Sequence, residues 1–437
     1  MKRITAFTLL IAMLTAFTTS CTRKEMKPMS FLDENANMHQ IEEIAEEAYS
    51  NMIKNYWHEG EEYNYFVDPH KGDDTFSVII WEYVQGLLGF ETYYAASGDE
   101  SVLYYVKEQF KTWTDYYGKE WLLSTGKNNN PCVDDAAWSA MGFLLWYKLS
   151  GDEEALDYCH DMIKNAYDFW QDGSTENGLW YRYEIDFSEG NPAGWEKSLY
   201  TIGLMLSSLE YHQITKGTER EDLELWERTL ALYEWTEEHL RRDKVFDHNG
   251  GTVEVKDNLY FLGYYENKDT GESYPMGINN PNDINPAGSC SALFANTGIA
   301  VFNKRMFDIT GDTKYLEKAV STANALTGEL YRRNGILIND RDAWTNCSFI
   351  GYFVREVLPL EGIDPKLGKM LFDTAISIRD NNYFDGYYGS DWAGGTRWYD
   401  NGDLGHPEWF ANSATSTHLI YAAYYAAKND LIDFNAE

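Results

Sequence analysis

Apolar residues recur with the spacing of one helix face along nearly the whole chain, and this periodicity indicates about twelve α-helices. The segments lie near residues 38–56, 77–96, 100–123, 135–149, 152–171, 197–213, 221–241, 291–310, 313–330, 346–358, 365–381 and 411–428. Alternate segments, beginning with 77–96, carry fewer charges than the segments that follow them. Six apolar inner helices surrounded by six charged outer helices form an (α/α)6 barrel, so we expect an all-α fold of six helical hairpins. An open solenoid of hairpins has a similar sequence, and periodicity alone does not separate the two.

A three-residue phrase recurs where one predicted helix ends and the next begins. It reads Ser97-Gly98-Asp99, Ser150-Gly151-Asp152 and Thr310-Gly311-Asp312. Glycine supplies the left-handed conformation that ends a helix, and aspartate caps the start of the next one. The spacings of 53 and 160 residues are close to one and three times a common period, which favours stacked helical hairpins.

Long segments rich in Gly, Asn, Asp and aromatic residues join the outer helices to the inner ones. Examples are 57–76, 172–196, 242–289 and 382–410, and residues 251–265 alternate as a small β-hairpin would. Long loops gathered at one end of a scaffold usually carry the functional site. We therefore expect the site at the rim of the barrel that these loops form.

Two consecutive aspartates, Asp134 and Asp135, stand where the loop 124–133 meets an apolar helix. Neighbouring carboxylates disfavour each other's ionisation, so the pair costs free energy unless it is stabilised or needed for function. A helix N-terminus favours negative charge, and one aspartate acting as an N-cap is the plain structural interpretation. The nearby Trp138, Trp146 and Tyr147 favour a carbohydrate site instead, where rings stack on sugar C–H faces and carboxylates act as acid and nucleophile.

A second acidic pair, Asp73 and Asp74, precedes the helix near 77–96. We interpret it as an N-cap for that helix. It is the alternative within this chain to Asp134 and Asp135 as the catalytic pair.

The net charge of −34 argues against nucleic acid as a partner, because phosphate binding needs clustered Lys and Arg. A neutral polysaccharide is compatible with this charge. The nine histidines lack the spacing of a zinc site, and the sequence contains neither a Gly-x-Ser-x-Gly phrase nor a phosphate-binding loop. We expect no metal and no cofactor.

The N-terminus has the pattern of an export signal. Lys2 and Arg3 precede an apolar run over 4–17, which is too short to span a bilayer as a mature helix. Small residues lead to Cys21 at the expected cleavage point, which resembles a bacterial lipobox without its usual Leu. We expect a lipoprotein of a Gram-negative-type bacterium, anchored to the outer membrane through lipid on Cys21 and facing the periplasm or the cell surface. An ordinary secretory signal with an incidental cysteine is the alternative.

These patterns divide the chain into a signal peptide (1–21), a polar linker (22–37) and a barrel domain (38–437), which we expect to be monomeric. The remaining cysteines are Cys132, Cys159, Cys290 and Cys347. They could form disulfides in an oxidising compartment, in any of three connectivities, or remain as buried thiols.

Several phrases in the same order along residues 40–428 resemble glycoside hydrolase family 76, the bacterial and fungal endo-α-1,6-mannanases. The phrases are Trp81-Glu82-Tyr83, Asp134-Asp135-Ala136-Ala137-Trp138, Gly178-Leu179-Trp180, Lys197-Ser198-Leu199, Ala295-Asn296-Thr297-Gly298, Phe349-Ile350-Gly351-Tyr352-Phe353 and Gly389-Ser390-Asp391-Trp392-Ala393-Gly394. The chain departs from the family at Ala136, Ser139 and Ile350, where the family has Asn, Trp and Lys, and also at Ala295 and Thr297. These departures leave the bound sugar and endo or exo action open.

The resemblance implies a retaining hydrolase of α-1,6-mannan or its oligosaccharides, with Asp134 as nucleophile and Asp135 as general acid/base. Retaining glycosidases need two carboxyl groups roughly 5–5.5 Å apart, which adjacent residues can provide if their side chains diverge. The residues that we expect to contact substrate are Trp81, Trp138, Asn296, Trp392 and Arg397.

Two other functions stay open. A non-catalytic glycan-binding lipoprotein, or an inactive relative of the hydrolases, would keep the aromatic residues without needing the aspartate pair. A sugar epimerase with the same barrel would rely on paired histidines, which we do not place on the inner helices.

Overall fold

The computed structural model describes residues 34–69, 80–124, 133–171, 178–179, 194–198, 201–243, 245–248, 251–254, 257–267, 273–275, 293–328, 332–333, 335–337, 347–390, 392 and 409–436. Within these residues the chain forms twelve α-helices: α1 (Glu34–Tyr56), α2 (Ile80–Ser97), α3 (Ser101–Ser124), α4 (Val133–Ser150), α5 (Glu153–Trp170), α6 (Ile202–Thr215), α7 (Leu223–His239), α8 (Leu293–Thr310), α9 (Thr313–Ala325), α10 (Ile350–Glu356), α11 (Lys366–Asn381) and α12 (Phe410–Lys428). Each helix coincides with a segment predicted from apolar periodicity, so the prediction of an all-α fold is confirmed.

The even-numbered helices form a closed inner ring, and the odd-numbered helices lie outside it. Each inner helix contacts the next, and α12 returns to contact α2. Glycines permit the close approach: a Cβ atom on Gly86 of α2 would lie 2.7 Å from the Phe410 ring of α12, and one on Gly298 of α8 would lie 2.7 Å from Ile202 of α6. The architecture is therefore an (α/α)6 barrel and not an open solenoid.

The recurring Ser/Thr-Gly-Asp phrases form three equivalent turns between inner and outer helices. Gly98, Gly151 and Gly311 all have a positive φ, of 74°, 71° and 68°. Each aspartate carboxylate accepts a hydrogen bond from the backbone N–H two residues later, as from Ser101 to Asp99 at 2.9 Å. These short turns lie at one end of the barrel, which we call the closed end.

The long connections lie at the other end, which we call the open rim. They carry short antiparallel strands: β1 (Trp57–Glu59), β2 (Asn64–Phe66), β3 (Gly194–Ser198), β4 (Val245–His248), β5 (Gly251–Glu254), β6 (Gly263–Asn267), β7 (Ser273–Pro275), β8 (Arg332–Arg333), β9 (Ile336–Leu337), β10 (Tyr383–Phe384) and β11 (Tyr387–Tyr388). The prediction of one hairpin over 251–265 is wrong. Strand β5 pairs with the preceding strand β4, whereas β6 joins β3 and β7 in a three-stranded sheet. The buried segment 259–262 separates β5 from β6. The alternation of residue types over 251–265 therefore comes from two strands that pair with different partners.

No helix in the described ranges combines the length and apolar character that a bilayer crossing requires.

Charged side chains from five inner helices, with the neutral Tyr352 ring among them, form a connected cluster near the closed end. Its members are Glu91 of α2, Lys148 of α4, Glu210 of α6, Arg305 of α8, and Tyr352, Arg355 and Glu356 of α10. Lys148 Nζ lies 3.1 Å from a Glu91 oxygen and 3.2 Å from a Glu210 oxygen. Arg305 binds Glu210 at 3.0 Å and Glu356 at 2.7 Å, and Arg355 binds Glu91 at 3.3 Å. All three cations also lie 4.8–5.0 Å from the centre of the Tyr352 ring. We call this set the closed-end charge cluster.

The closed-end charge cluster and its neighbour His418 make the barrel sensitive to acid. Burial alone would raise the pKa of the Glu91 carboxyl, but Arg355 and Lys148 outweigh it and lower that pKa from 4.5 to about 2. Burial, assisted by Arg355, lowers the pKa of His418 from 6.5 to about 3. In both cases the unfolded chain binds the proton more readily. The stability that each group contributes is therefore fully present above its unfolded-state pKa and is lost as pH falls through its folded-state pKa.

We expect the urea midpoint of unfolding to fall progressively from pH 7 to pH 4. The His418 contribution should decline between pH 6.5 and 3, and that of Glu91 between pH 4.5 and 2. The control is His418→Gln, which should flatten the dependence between pH 6.5 and 4.5. A wild-type midpoint that stays constant from pH 7 to 4 would contradict this account.

Candidate active site

The structure places Asp134 and Asp135 in the first turn of α4, at the open rim. Both side chains are half-buried, and the preceding Val133 is fully buried in the core. The pair therefore begins an inner helix at the end of the barrel where the long connections lie. The N–H groups and the dipole at a helix N-terminus favour negative charge at this position.

Aromatic rings fill the barrel one turn below the aspartates. Trp138 is 3% exposed and stacks on Phe349 with a centroid distance of 5.6 Å and an interplanar angle of 13°. Phe294 lies 6.5 Å from Phe349 on the side of α8. The Ser139 hydroxyl donates to the backbone carbonyl of Asp135 at 3.0 Å. Trp138 therefore has the contacts of a core residue, and its contact with a substrate stays a prediction.

Two tryptophans and a glutamate meet where α2 and α12 begin. Trp81 is partly exposed, and its ring meets the Trp409 ring edge-on at 6.3 Å. The Trp409 indole N–H donates to Glu82 at 3.2 Å, and Glu82 is only 1% exposed. Glu82 was not among the site residues predicted from the sequence. The signal was present, because Glu82 is an acidic residue in the first turn of a mostly apolar helix.

Asn296 and Trp392, which were predicted to contact substrate, are fully enclosed. The Asn296 carbonyl oxygen accepts a hydrogen bond from the backbone N–H of Tyr260 at 2.8 Å. The Trp392 indole N–H donates to Ser416 of α12 at 2.9 Å. Both side chains therefore connect rim segments to inner helices, and their contacts with a substrate stay a prediction.

Cys21, Asp73, Asp74 and Arg397 lie outside the described residues. The same holds for Cys132 and Cys290. Cys159 and Cys347 are free, buried thiols whose pKa values are raised by burial, so the alternative of buried thiols is confirmed for these two. No three His, Cys, Asp or Glu side chains in the described ranges are grouped to hold a metal ion.

Two buried histidines do lie on inner helices, although they do not form a pair at the rim. His212 of α6 stacks on Trp226 of the outer helix α7 at 4.4 Å. His418 of α12 contacts the Thr92 hydroxyl at 3.0 Å. Both therefore have partners within the protein fold, which gives no support to an epimerase-type histidine pair.

A closed ring of six inner and six outer helices is an (α/α)6 barrel, and in this chain an acidic pair lies at its open rim. Comparison with solved structures places the fold with that of glycoside hydrolase family 76. The α-1,6-mannanase of this family from Salegentibacter sp. HEL1_6 has a TM-score of 0.63 and 16% sequence identity, over 88% of this chain and 98% of that one. A family 76 mannosidase from Bacteroides thetaiotaomicron has a TM-score of 0.62 and 14% identity, over 90% of this chain and 100% of that one.

More distant barrels share the fold as well. An unsaturated glucuronyl hydrolase specific for heparin has a TM-score of 0.55 and 11% identity, over 92% of this chain and 100% of that one. No protein-family model matches the sequence, and no curated protein matches it either. The likenesses to solved structures thus establish the fold. The Salegentibacter enzyme was also solved as an inactive variant, with two consecutive aspartates changed to asparagine, in complex with α-1,6-mannotriose.

Proposed function

We propose that this protein is a retaining glycoside hydrolase of family 76 that cleaves α-1,6-mannan or its oligosaccharides. The observation that carries the proposal is the position of Asp134 and Asp135, which are consecutive residues in the first turn of an inner helix at the open rim. The family resemblance of the surrounding phrases and the shared fold support it. The Salegentibacter variant in which two consecutive aspartates are changed to asparagine is inactive, which supports it as well.

In this mechanism Asp134 attacks the anomeric carbon while Asp135 protonates the leaving glycosidic oxygen. A covalent glycosyl-enzyme forms, and Asp135 then removes a proton from the water that releases the sugar. Successive side chains on a helix point about 100° apart, since the helix has 3.6 residues per turn. Two adjacent aspartates can therefore reach different atoms of one glycosidic bond.

The surroundings of the pair suit these two roles. Two neighbouring carboxyl groups resist being ionised together, which helps one of them to keep the proton that a general acid must donate. The N–H groups of the first turn of α4 stabilise the other as an anion. The stacked rings of Trp138 and Phe349 make the barrel apolar one helical turn further along α4, and an apolar environment strengthens electrostatic interactions with the developing charge.

The test is product release from linear α-1,6-mannan by protein that lacks residues 1–21. We expect mannose oligosaccharides from the wild type, released with retained anomeric configuration as followed by NMR, and none from Asp134→Asn/Asp135→Asn. If both proteins released oligosaccharides, the catalytic residues would lie elsewhere, and Asp73 and Asp74 would be the next pair to substitute. Binding of the polymer without any product would favour the glycan-binding alternative.

Export and anchoring through lipid on Cys21 are also part of this proposal, since they would place the enzyme where it meets an extracellular polysaccharide.

A further inference from the structure

Three contacts join α2 to α12 at successive heights in the barrel. Nearest the closed end, the Thr92 hydroxyl lies 3.0 Å from a ring nitrogen of His418. Nearer the rim, the Phe410 ring packs closely against α2. Beyond it, the Trp409 indole N–H donates to the Glu82 carboxyl group at 3.2 Å. This third contact is therefore the one that lies closest to the open rim.

The carboxyl group of Glu82 is buried at a place where the helices do not need it. Glu82 is 1% exposed, and burying a carboxyl group costs free energy unless its surroundings compensate. The Trp409 N–H and the positive end of the α2 dipole supply part of that compensation. Apolar packing of Phe410 and the contact of Thr92 with His418 already join the two helices. A costly group that the fold does not require indicates a functional role.

Trp409 connects Glu82 to a second tryptophan. The Trp409 ring is 5% exposed and meets the Trp81 ring at 6.3 Å and 85°. This edge-to-face arrangement is one that aromatic pairs prefer, so the orientation of one ring restricts the other. Trp81 is partly exposed, unlike its two partners. The hydrogen bond from Trp409 to Glu82 therefore helps to set the orientation of the Trp81 ring.

Trp81 lies close to the level of the aspartate pair. Helices α2 and α4 are neighbours in the inner ring, and both begin at the open rim. Their relative height is fixed where a Cβ atom on Gly142 of α4 would lie 3.0 Å from Val84 of α2. Counting back from these two residues places Trp81 roughly 6 Å deeper in the barrel than Asp135, which is little more than one helical turn. A sugar unit next to a bond held by the pair can therefore reach Trp81.

We propose that Glu82 is a positioning residue for the substrate. Through Trp409 it holds Trp81 in the orientation in which the Trp81 ring packs on a sugar unit beside the scissile bond. The identity of that sugar as mannose rests on the proposed function, whereas the effect of Glu82 on the two indoles does not.

Steady-state kinetics on α-1,6-mannotetraose give the first test. Glu82→Met removes the carboxyl group and keeps the length of the side chain. It should raise KM roughly tenfold and change kcat less than about twofold, because a contact that holds a sugar unit acts on bound substrate and transition state alike. Glu82→Gln keeps an oxygen that accepts from Trp409, so its KM should stay close to that of the wild type. An unchanged KM in Glu82→Met, or a loss confined to kcat, would overturn the proposal.

Stability separates positioning from folding. Glu82→Met should leave the urea midpoint unchanged or raise it, because a buried carboxyl group is replaced by an apolar one. Thr92→Val is the matched control, since it removes a contact between the same two helices near the closed end. It should lower the midpoint and leave KM unchanged. The opposite pattern, in which Glu82→Met lowers the midpoint and Thr92→Val raises KM as much, would show that KM follows the helix junction and not Glu82.

A double-mutant cycle tests whether Glu82 acts through Trp81. In a Trp81→Ala background the ring to be positioned is gone, so adding Glu82→Met should change KM less than about twofold. A tenfold rise in both backgrounds would mean that Glu82 acts on the substrate by another route, and it would contradict the proposal.

Indole NMR signals give a readout that needs no substrate. In protein with ¹⁵N-labelled tryptophan, the signals of Trp81 and Trp409 are assigned with Trp81→Phe and Trp409→Phe. Both signals should shift in Glu82→Met and stay in place in Thr92→Val. A Trp81 signal that does not respond to Glu82→Met would overturn the positioning role.

The same spectra distinguish failure of the proposed function from failure of this inference. If the wild type neither cleaves nor binds α-1,6-mannotetraose, the proposed function fails, and oligosaccharides from dextran, starch and galactomannan are titrated instead. A shift of the Trp81 signal by one of them that weakens in Glu82→Met would support the positioning role. Absence of any such shift would overturn it.

Discussion

Asp134→Asn should reduce hydrolysis of α-1,6-mannan by roughly 10³-fold or more, because asparagine cannot form the glycosyl-enzyme. Asp135→Asn should cause a loss of roughly 10²- to 10⁴-fold on the same polymer, since the leaving oxygen is then not protonated. On an aryl α-mannoside with a good leaving group, Asp135→Asn should retain rapid release of the aryl group, whereas Asp134→Asn should not. Steady-state and burst kinetics on the two substrates check both expectations.

The substitutions are isosteric, so the thermal unfolding of both variants should match that of the wild type. Asp312→Asn serves as the control, because Asp312 also begins a helix but lies at the closed end. It should leave activity unchanged. If the aryl substrate were processed equally by both single variants, the assignment of nucleophile and acid would be contradicted. If both variants kept their activity on mannan, the pair would not be catalytic.

Arg305→Met should lower the free energy of unfolding by about 3–5 kcal/mol, which is the typical cost of removing one partner from a buried ion pair. Arg305 is nearly fully buried, and its loss removes the cation between Glu210 and Glu356. Urea unfolding at pH 7 measures the effect. The matched control is Lys304→Met on the same helix, whose pair with Asp308 is exposed and should contribute less than about 1 kcal/mol.

The source of this loss can be tested separately. If uncompensated carboxylates cause it, adding Glu210→Gln and Glu356→Gln to Arg305→Met should recover part of the stability. A loss for Arg305→Met as small as that of Lys304→Met would show that the closed-end charge cluster does not hold the inner helices together.

The helices could be predicted from the sequence because their signals are local. Apolar periodicity, left-handed glycines and capping aspartates all act within a few residues, and the three turns at Gly98, Gly151 and Gly311 formed as expected. The closure of the ring was not predictable in the same way. It depends on contacts such as that between Gly86 and Phe410, which are far apart in the sequence. The error over 251–265 has the same origin, since strand partners are chosen at a distance.

In the candidate site, too, some features could be predicted from the sequence and others could not. The location of Asp134 and Asp135 at a helix start could be predicted from the change from loop to apolar helix. The direction in which each side chain points could not be predicted from the sequence. Trp138 and Trp392 stand near loops in the sequence, yet both turn inward to partners on distant segments, Phe349 and Ser416. The closed-end charge cluster was missed entirely, because single charges on apolar helices reveal no partners until the ring is assembled.

The contact of the last inner helix with the first one has a consequence for biosynthesis. Thr92 of α2 hydrogen-bonds His418 of α12 across 326 residues, and the Trp409 indole at the start of α12 donates to Glu82 of α2 across 327 residues. Until α12 has left the ribosome, one face of α2 has no inner neighbour, and the apolar lining of the barrel stays accessible. The native state is therefore completed only after synthesis of the whole chain, and the exposed apolar lining is prone to aggregation until then.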